Sequence, residues 1–567
     1  MNNNLKSTTK WYIYTKKADF NSLAEEHDIT PVTARIMINR DVAPGDFDTF
    51  LYGDISAMHD PHLMKDIDKA AALIKLAIMC KKKIRVVGDY DVDGVTSTYM
   101  LLDVLTKLGA DVSFEIPDRV KDGYGINERI IEDAHSDGIN LILTCDNGIS
   151  AKSAIEKARS YGMQVIITDH HEVPKNEDGS DDLPNANFVI NPKRADDGYP
   201  FKEICGGMVA YKLSQVLCEE SDIDVCENIV FAAIATIGDV MPLKDENRIA
   251  VKEGLKKVSE TNNIGLKKLI EICGLDAVSI TAYSIGFVIG PCLNASGRLE
   301  SAKTALKLLL TKDESEAAGI ASYLKQLNDS RKEMTEEGLE KAMELVDEGN
   351  VQVLYLPETH ESVAGIVAGR VRELTNHPVI VLTNKGILKG SARSIDSYNI
   401  FEALCSVKDI LEKFGGHKLA AGLSIKEENL PEFRNRLNEN ADLSPEDFIQ
   451  KIWIDCALPF GAISERIVDE LALLEPFGQS NEKPAFALKN VKILSAKAMG
   501  KAHNVVKLSL KDEAGSVVDG IIFGDADVIL SELALAPEHK FDILYYPQVN
   551  EYMGNRNLQV VLKGWKI

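Results

Sequence analysis

Several features that would place a protein in a membrane or outside the cell are missing from this sequence. Although 45% of its 567 residues are apolar, no uninterrupted apolar run reaches the ~18 residues of a membrane span. The opening MNNNLKSTTKWYIY has no apolar stretch leading to a small-residue cleavage site, so no secretory signal is expected. Nine cysteines stand singly at 80, 145, 205, 218, 226, 273, 292, 405 and 456, and none forms a CxxC pair. That spacing argues against a zinc knuckle or disulfide framework and makes a reducing cytoplasm the expected location. Internal repeats and low-complexity segments are also lacking. Positive charge is scarce, with 64 Lys and Arg against 87 Asp and Glu, a net −23. Phosphate contacts come from Lys and Arg, so a chain this acidic binds nucleic acid poorly as a whole. A polyanionic substrate would have to meet a local basic lining.

The chain is too long for one core and suggests three or four domains. Residues 1–80 read as an N-terminal helical extension. Between 84 and 239 short apolar runs alternate with helical segments, as in a mostly parallel α/β sheet. Residues 223–312 read as mainly helical with a Gly-rich turn at 286–297, closing a unit at 81–312. A long polar helix within 313–349 reads as a connector between lobes. A second, smaller α/β unit occupies 350–430. Short β-like runs separated by turn residues over 450–567 favour a small barrel or sandwich.

The stretch IRVVGDYDVDG (84–94) carries the first chemistry. A buried strand ends at Gly88 and then presents Asp89, Asp91 and Asp93 within five residues. Three anions this close repel unless a cation neutralises them, and oxygen-rich sites suit Mg²⁺ or Mn²⁺. The run 141–144 leads to Asp146, Asn147 and Gly148, and 165–168 leads to Asp169, His170 and His171. A further apolar segment, 229–237, ends in Gly238 and Asp239. Equivalent ends of neighbouring parallel strands converge on one crevice. Five carboxylates and an imidazole exceed the needs of one divalent ion and suit two ions about 3.5–4 Å apart, a pair that acidifies bound water and clamps a phosphoryl group. The expected direct ligands are Asp89, Asp91, Asp93, Asp146, His170 and Asp239. Asp169 is expected to orient a ligand, and His171 to contact substrate phosphate or shuttle a proton. Arg119 and Arg298 are candidate phosphate anchors through a bidentate fork, with Asn294 orienting a neighbouring oxygen. In the second unit His360, GIVAGR (365–370), GSARS (390–394) and FGGHKLAAG (414–422) leave room for a ligand near the backbone.

DYDVDG (89–94), DNG (146–148), DHH (169–171) and GDVMPL (238–243) resemble the successive motifs of the DHH phosphoesterase superfamily. IPDRVKDGYG (116–125), GPCLNASGRL (290–299) and EPFGQSNEKPAF (475–486) resemble the RecJ family within it. That resemblance implies a two-lobed DHH core joined by the long helix to a DHH-associated domain, followed by an oligonucleotide-binding (OB) barrel. It further implies a single-strand-specific 5′→3′ exonuclease releasing mononucleotides, with two Mn²⁺ or Mg²⁺ ions, acting in DNA repair and recombination. Single-stranded DNA is the implied partner, with a helicase and a single-strand-binding protein assisting and no membrane involved. By the same resemblance Ser391 and Arg393 would hold the terminal 5′ phosphate, His417 a phosphate near the metals, and His360 would belong to the substrate side. Lys492, Lys497, Lys501, Lys507, Arg556 and Lys563, with Phe477, Phe523 and Tyr552, would give the barrel a charged groove with stacking platforms. Two positions depart from the family pattern: Cys292 stands where a basic residue is usual, and Ser480–Glu482 replaces a GN followed by Pro. The alternatives are a small-substrate DHH phosphodiesterase acting on very short RNA or cyclic dinucleotides, and a non-catalytic replication scaffold.

Overall fold

A computed structural model describes residues 9–119, 122–500, 503–534, 540–552 and 555–566. Its catalytic lobe is built on five parallel strands in the spatial order Asp111–Glu115, Lys83–Val87, Leu141–Cys145, Gln164–Thr168 and Phe188–Ile190. The central strands Leu141–Cys145 and Gln164–Thr168 are largely apolar because both faces are covered. Val86, Leu141, Leu143 and Ile166 pack with the helices Val92–Lys107, Gly206–Cys218 and Asn228–Gly238. Val87, Ile142, Val165 and Ile167 face the opposite way, against the helices Glu128–Ser136 and Lys152–Ser160. The order makes neighbours of the strands that carry Asp89, Asp146 and Asp169 beyond their carboxyl ends.

The helix Glu314–Glu344 starts at Asp313, whose carboxylate accepts the Glu316 N–H at 2.7 Å. Its buried residues, Ala317, Ala321, Leu324, Asn328, Thr335, Gly338 and Ala342, recur every three or four positions and form one stripe. Ala317, Ala321 and Leu324 belong to the catalytic-lobe core, while Ala342 belongs to the core of the next lobe. That lobe has a mixed five-stranded sheet in the order Leu411–His417, Ala420–Lys426, Ile387–Arg393, Val379–Thr383, Gln352–Tyr355, covered by the helix Glu361–Thr375. Near the C-terminus, Phe486–Met499, Val505–Lys511, Val517–Phe523, Asn555–Lys566 and Lys540–Tyr552 pair in turn, and the last closes on the first. The result is a closed five-stranded barrel, which leaves no free edge among these strands.

Three readings of the sequence change here. Residues 229–237 are helical, so Asp239 follows a helix and only three acidic motifs follow strands. The Gly-rich segment at 286–297 is helical too, a π turn over Ile285–Ile289 running into Gly290–Leu299. The N-terminal extension is neither purely helical nor separate. It begins with the strand Thr9–Ile13, parallel to Gln450–Ile454, and Ile36, Met37, Phe47 and Leu51 share one core with the barrel. Arg40 forks onto Asp455 at 2.6 and 3.1 Å in the same joint. The helix Ile67–Met79 belongs instead to the catalytic core.

Arg248 ties this joint to the catalytic lobe. Buried at 1% exposure, it donates to the carbonyls of Phe50, Leu474 and Leu473 at 2.9, 2.8 and 2.8 Å, and its guanidinium lies over the Phe50 ring. Removing it strands the Phe50 and Leu473 carbonyls, each costing ~1–3 kcal/mol, while Leu474 O keeps the Asn481 amide. Arg248→Ala is therefore expected to lower unfolding free energy by about 2 kcal/mol or more, measured by urea denaturation. An unchanged midpoint would show that the joint carries no stability.

Candidate metal centre and phosphate cleft

Each acid is aimed by local backbone chemistry. Asp91 caps the helix Val92–Lys107, accepting the Gly94 N–H at 3.0 Å. Gly94 is required there, since a Cβ would stand within 2.7 Å of the Asp89 backbone. Asp93, in the first turn, accepts from Gly206 and Gly207 N–H at 2.8 and 2.6 Å, so the start of a second helix also favours its charge. Asp146 sits at φ 62°, a conformation uncommon for a residue with a Cβ. The Asn147 amide locks this turn, donating to Val87 and Cys145 carbonyls at 3.0 and 2.9 Å and accepting Ile126 N–H at 3.1 Å. Asp239 caps the C-terminal end of Asn228–Gly238.

Asp169 differs from the others because its oxygens are already occupied. Oδ1 accepts the backbone N–H of His170 and His171 at 2.8 and 3.1 Å and lies 2.8 Å from His171 Nδ1, while Oδ2 accepts Ile149 N–H at 2.9 Å. Burial alone would raise its pKa, but these bonds, led by His171, hold it below the ordinary carboxylate range. It positions the two histidines. For His171 burial acts downward, and the Asp169 bond with the surrounding carboxylates outweighs it, lifting the pKa to about 9. His170 is the reverse: burial takes it down to about 4, so at neutral pH it is an uncharged donor.

The remaining carboxyls are short of partners. Burial first, then neighbouring acids, pushes Asp89, Asp93 and Asp146 up from the ordinary range and Asp239 up to about 8. Asp89 Oδ1, Asp146 Oδ1 and both ring nitrogens of His170 are buried without a hydrogen-bond partner among the described residues. His170 Nε2 lies 3.1 Å from Asp146 Oδ1 and 3.6 Å from both Asp93 and Asp239. Ligand atoms of Asp89, Asp91 and Asp146 lie within 4.8 Å of one another, as do those of Asp93, His170 and Asp239. A third such set, Asp146, His170 and His171, bridges these two, which together comprise the six ligands expected from sequence. Oxygen donors with one imidazole fit hard divalent cations such as Mg²⁺ or Mn²⁺.

Comparison with known proteins agrees with this geometry. The family model described as the DHH family, N-terminal domain, matches residues 83–237, the DHHA1 domain 348–442 and the RecJ OB domain 454–564. The single-stranded-DNA-specific exonuclease RecJ of Bacillus subtilis is 37% identical over 575 residues, covering 99% of this chain and 71% of that protein. The Haemophilus influenzae protein of the same name is 32% identical, with 90% and 92% covered. The chain belongs to the RecJ family. In structure it is similar to RecJ from Thermus thermophilus in complex with Mn²⁺, with a TM-score of 0.84, 29% identity and 99% and 80% of the two chains covered. The Mg²⁺ complex of that protein gives 0.78 over 99% and 79%.

In this RecJ-family chain cations from both lobes gather beside the centre. A cleft of ≈ 230 Å³ is lined by Arg119, Ser362, Lys389, Ser391 and Ser424 among others. Arg298, half-buried on the helix Gly290–Leu299, donates to Ser362 O at 3.3 Å across the lobes. Burial, then Arg119 and Arg331, lowers its pKa to about 10. Burial, then Arg372 and Arg119, lowers Arg393 as well. Such mutual repulsion favours an anion among them. Gly365 leaves the space beside Arg393 and Ser391, since a Cβ there would come within 3.5 Å of both.

Other expected contacts are placed differently. Asn294 points its oxygen at the acidic loop, accepting Val92 N–H at 2.8 Å, so it braces that loop. His360 is exposed and caps the helix Glu361–Thr375 through Ser362. His417 is exposed at the end of its strand, with no hydrogen bond to the acidic centre among the described residues. On the barrel, Lys492, Lys497, Lys507 and Lys563 are exposed, with Lys497 opposite Lys507, and Phe523 is 62% exposed. Phe477 instead packs against the barrel core. Lys507 pairs with Asp519, and Arg556 with Glu551 and Glu465. Lys501 and the side chain of Tyr552 lie outside the described residues. Sequence reasoning missed Gly206, Gly207 and Tyr124. The Tyr124 hydroxyl donates to Asp146 O at 3.0 Å and lies 3.0 Å from His171 Nδ1; its place inside GYG, beside the flagged Arg119, was the available signal.

Carboxyls raised by the fold bind protons that the unfolded chain has already lost. Stability of the metal-free protein should therefore fall as pH rises from the ordinary carboxylate range towards about 8, the Asp239 value. Thermal melts in chelator at pH 6 and 8, repeated with Mn²⁺, are expected to show a lower midpoint at pH 8 without metal and a larger Mn²⁺ gain there. Equal gains at both pH values would contradict this charge balance.

Proposed function

We propose that this chain is a metal-dependent exonuclease that degrades single-stranded DNA in the 5′→3′ direction to 5′-mononucleotides. The observation carrying the reading is the cluster of overlapping donor sets beside a cleft between the lobes, where Arg119, Arg298 and Arg393 gather. Two bound divalent cations, Mn²⁺ or Mg²⁺, would acidify the attacking water and neutralise the phosphoryl oxygens. Asp89, Asp91 and Asp146 would hold one, and Asp93, His170 and Asp239 the other.

The chain's own groups supply the rest. Ser391 and Arg393, supported by Arg119 and Arg298, bind the terminal 5′ phosphate and so fix which phosphodiester lies over the acids. His171 donates a hydrogen bond to a phosphate oxygen, while Asp169 holds its ring. The exposed barrel lysines and Phe523 meet the strand on the 3′ side of the cleft. A cleft of this size takes unstacked nucleotides, so a helicase and a single-strand-binding protein are the fitting suppliers of substrate, in the cytoplasm. A small-substrate phosphodiesterase needs no barrel sharing a core with the N-terminal segment, and a scaffold needs no unpartnered ligand atoms.

The test is a long single strand labelled at either end, with Mn²⁺ or Mg²⁺. Early release of labelled mononucleotide from the 5′ end alone is expected. Asp146→Ala should reduce the rate more than about 100-fold, beyond the 10–100-fold typical of losing a group behind a ligand. Release from the 3′ end, or hydrolysis of dinucleotides only, would overturn the reading. Deleting 450–567 is an unsuitable control because it would expose Ile36, Met37, Phe47 and Leu51.

A further inference from the structure

Cys273 and Cys292 stand apart from the other cysteines. Their sulfurs are 3.8 Å apart, joining the end of the helix Ile264–Ile272 to the helix Gly290–Leu299. Cys292 is 1% exposed, whereas Cys273 is half-buried. The Asn328 amide donates to Cys292 Sγ at 3.4 Å, and its oxygen accepts from Arg331. We propose that Cys273 and Cys292 are a redox modification site, closing to a disulfide in the presence of a peroxide and thereby slowing the nuclease.

The chemistry balances with the peroxide as oxidant. The Cys273 thiolate attacks a peroxide oxygen, the O–O bond breaks, and hydroxide leaves behind a sulfenic acid. The Cys292 sulfur then displaces water from it, forming the S–S bond. Two thiols lose two electrons and two protons, and the peroxide becomes two waters. Cys273 suits the first step because solvent reaches it. The Cys292 hydrogen bond, then nearby Lys325 and Lys332, hold its thiol below the ordinary range against the opposing pull of burial. Cys292 suits the second because its sulfur already lies 3.8 Å from that of Cys273.

Closing the sulfurs from 3.8 Å to a bond of about 2.05 Å requires the two helices to approach or their side chains to turn. The helix Gly290–Leu299 has little slack. A Cβ on Gly297 would stand 2.3 Å from the Tyr90 carbonyl, Asn294 holds Val92 N–H, and Arg298 reaches Ser362. Movement of this helix therefore shifts the Asp89–Asp93 loop and a phosphate anchor together, and a misplacement of about 1 Å can cost 100-fold in rate. Asn328 loses its sulfur partner in the same event and loosens Arg331.

The activity half rests on the proposed exonuclease function, while the bond itself does not. The full chain is treated with hydrogen peroxide, freed of it, and divided between peptide mapping without reductant and a single-strand degradation assay with Mg²⁺. A Cys273–Cys292 peptide pair about 2 Da lighter than the free thiols, with a tenfold or greater loss of rate that dithiothreitol restores, is expected. Cys273→Ser should keep the untreated rate, form no pair and resist peroxide. Oxidation of either sulfur to sulfinic acid without the pair, or the pair at full activity, would overturn the proposal. Reduced protein that degrades no strand would count against the function alone, with the mapping still deciding the bond.

Discussion

Five carboxyls and an imidazole meet beyond one edge of a parallel sheet, in surroundings too dry for all of them to ionise unaided. Their mutual repulsion and loss of water raise Asp89, Asp93, Asp146 and Asp239 together. Much of the catalytic lobe is arranged to tolerate this concentration. Two helices start at the cluster, and Gly206 and Gly207 place their N–H groups on Asp93. Asn147 pins a strained Asp146, and Asn294 pins the loop that carries Asp91. What these devices leave over is ligand atoms without partners, a deficit that only a cation of matching hardness removes. The destabilised metal-free site and the affinity for metal are one arrangement.

The cleft between the lobes is the electrostatic counterpart. Burial, then Arg119 among other cations, lowers Arg298 and Arg393, the opposite sign from the acids. A phosphodiester next to a metal pair resolves both imbalances, since it brings negative charge to the arginines and oxygens to the cations. The long helix makes this possible by donating residues to both cores. Had the lobes been joined by a flexible linker, the cationic cleft would not be held at a fixed distance from the acids, and selection of one phosphodiester would be lost.

The strand-end acids were legible because period-two apolar runs and the residues following them are local features. Asp89, Asp91, Asp93, Asp146 and His170 needed only the rule that neighbouring parallel strands converge. Asp239 was found for an incomplete reason: its apolar run is a helix, since runs of Ile, Ala and Phe buried on every side look alike in either state. The segment 286–297 misled because glycines that usually signal a turn are here demanded by close packing, Gly297 against Tyr90 and Gly290 beside Ile285. Gly206 and Gly207 were invisible because their role, two N–H donors for Asp93, depends on a partner over a hundred positions away. Asn294 was assigned to substrate from its chemistry and His360 from resemblance; neither reading showed that Asn294 braces the acidic loop or that His360 caps a helix, because both contacts depend on the folded backbone.

The joint between the N-terminal segment and the barrel was the least legible feature, and it bears on how a strand reaches the cleft. Thr9–Ile13 pairs with Gln450–Ile454, more than four hundred residues later, a contact that no local pattern announces. Leu243, four residues after Asp239 of the acidic centre, donates its N–H to Gln479 O at 2.8 Å within the motif that opens the barrel. Arg248, one turn further on, rivets the same junction. The barrel is thus anchored to the segment that carries Asp239, and its exposed lysines hold a fixed bearing on the acids. A chain of net charge −23 can then face a polyanion, because Arg119, Arg298 and Arg393 are gathered beside the acidic centre instead of being dispersed over the surface.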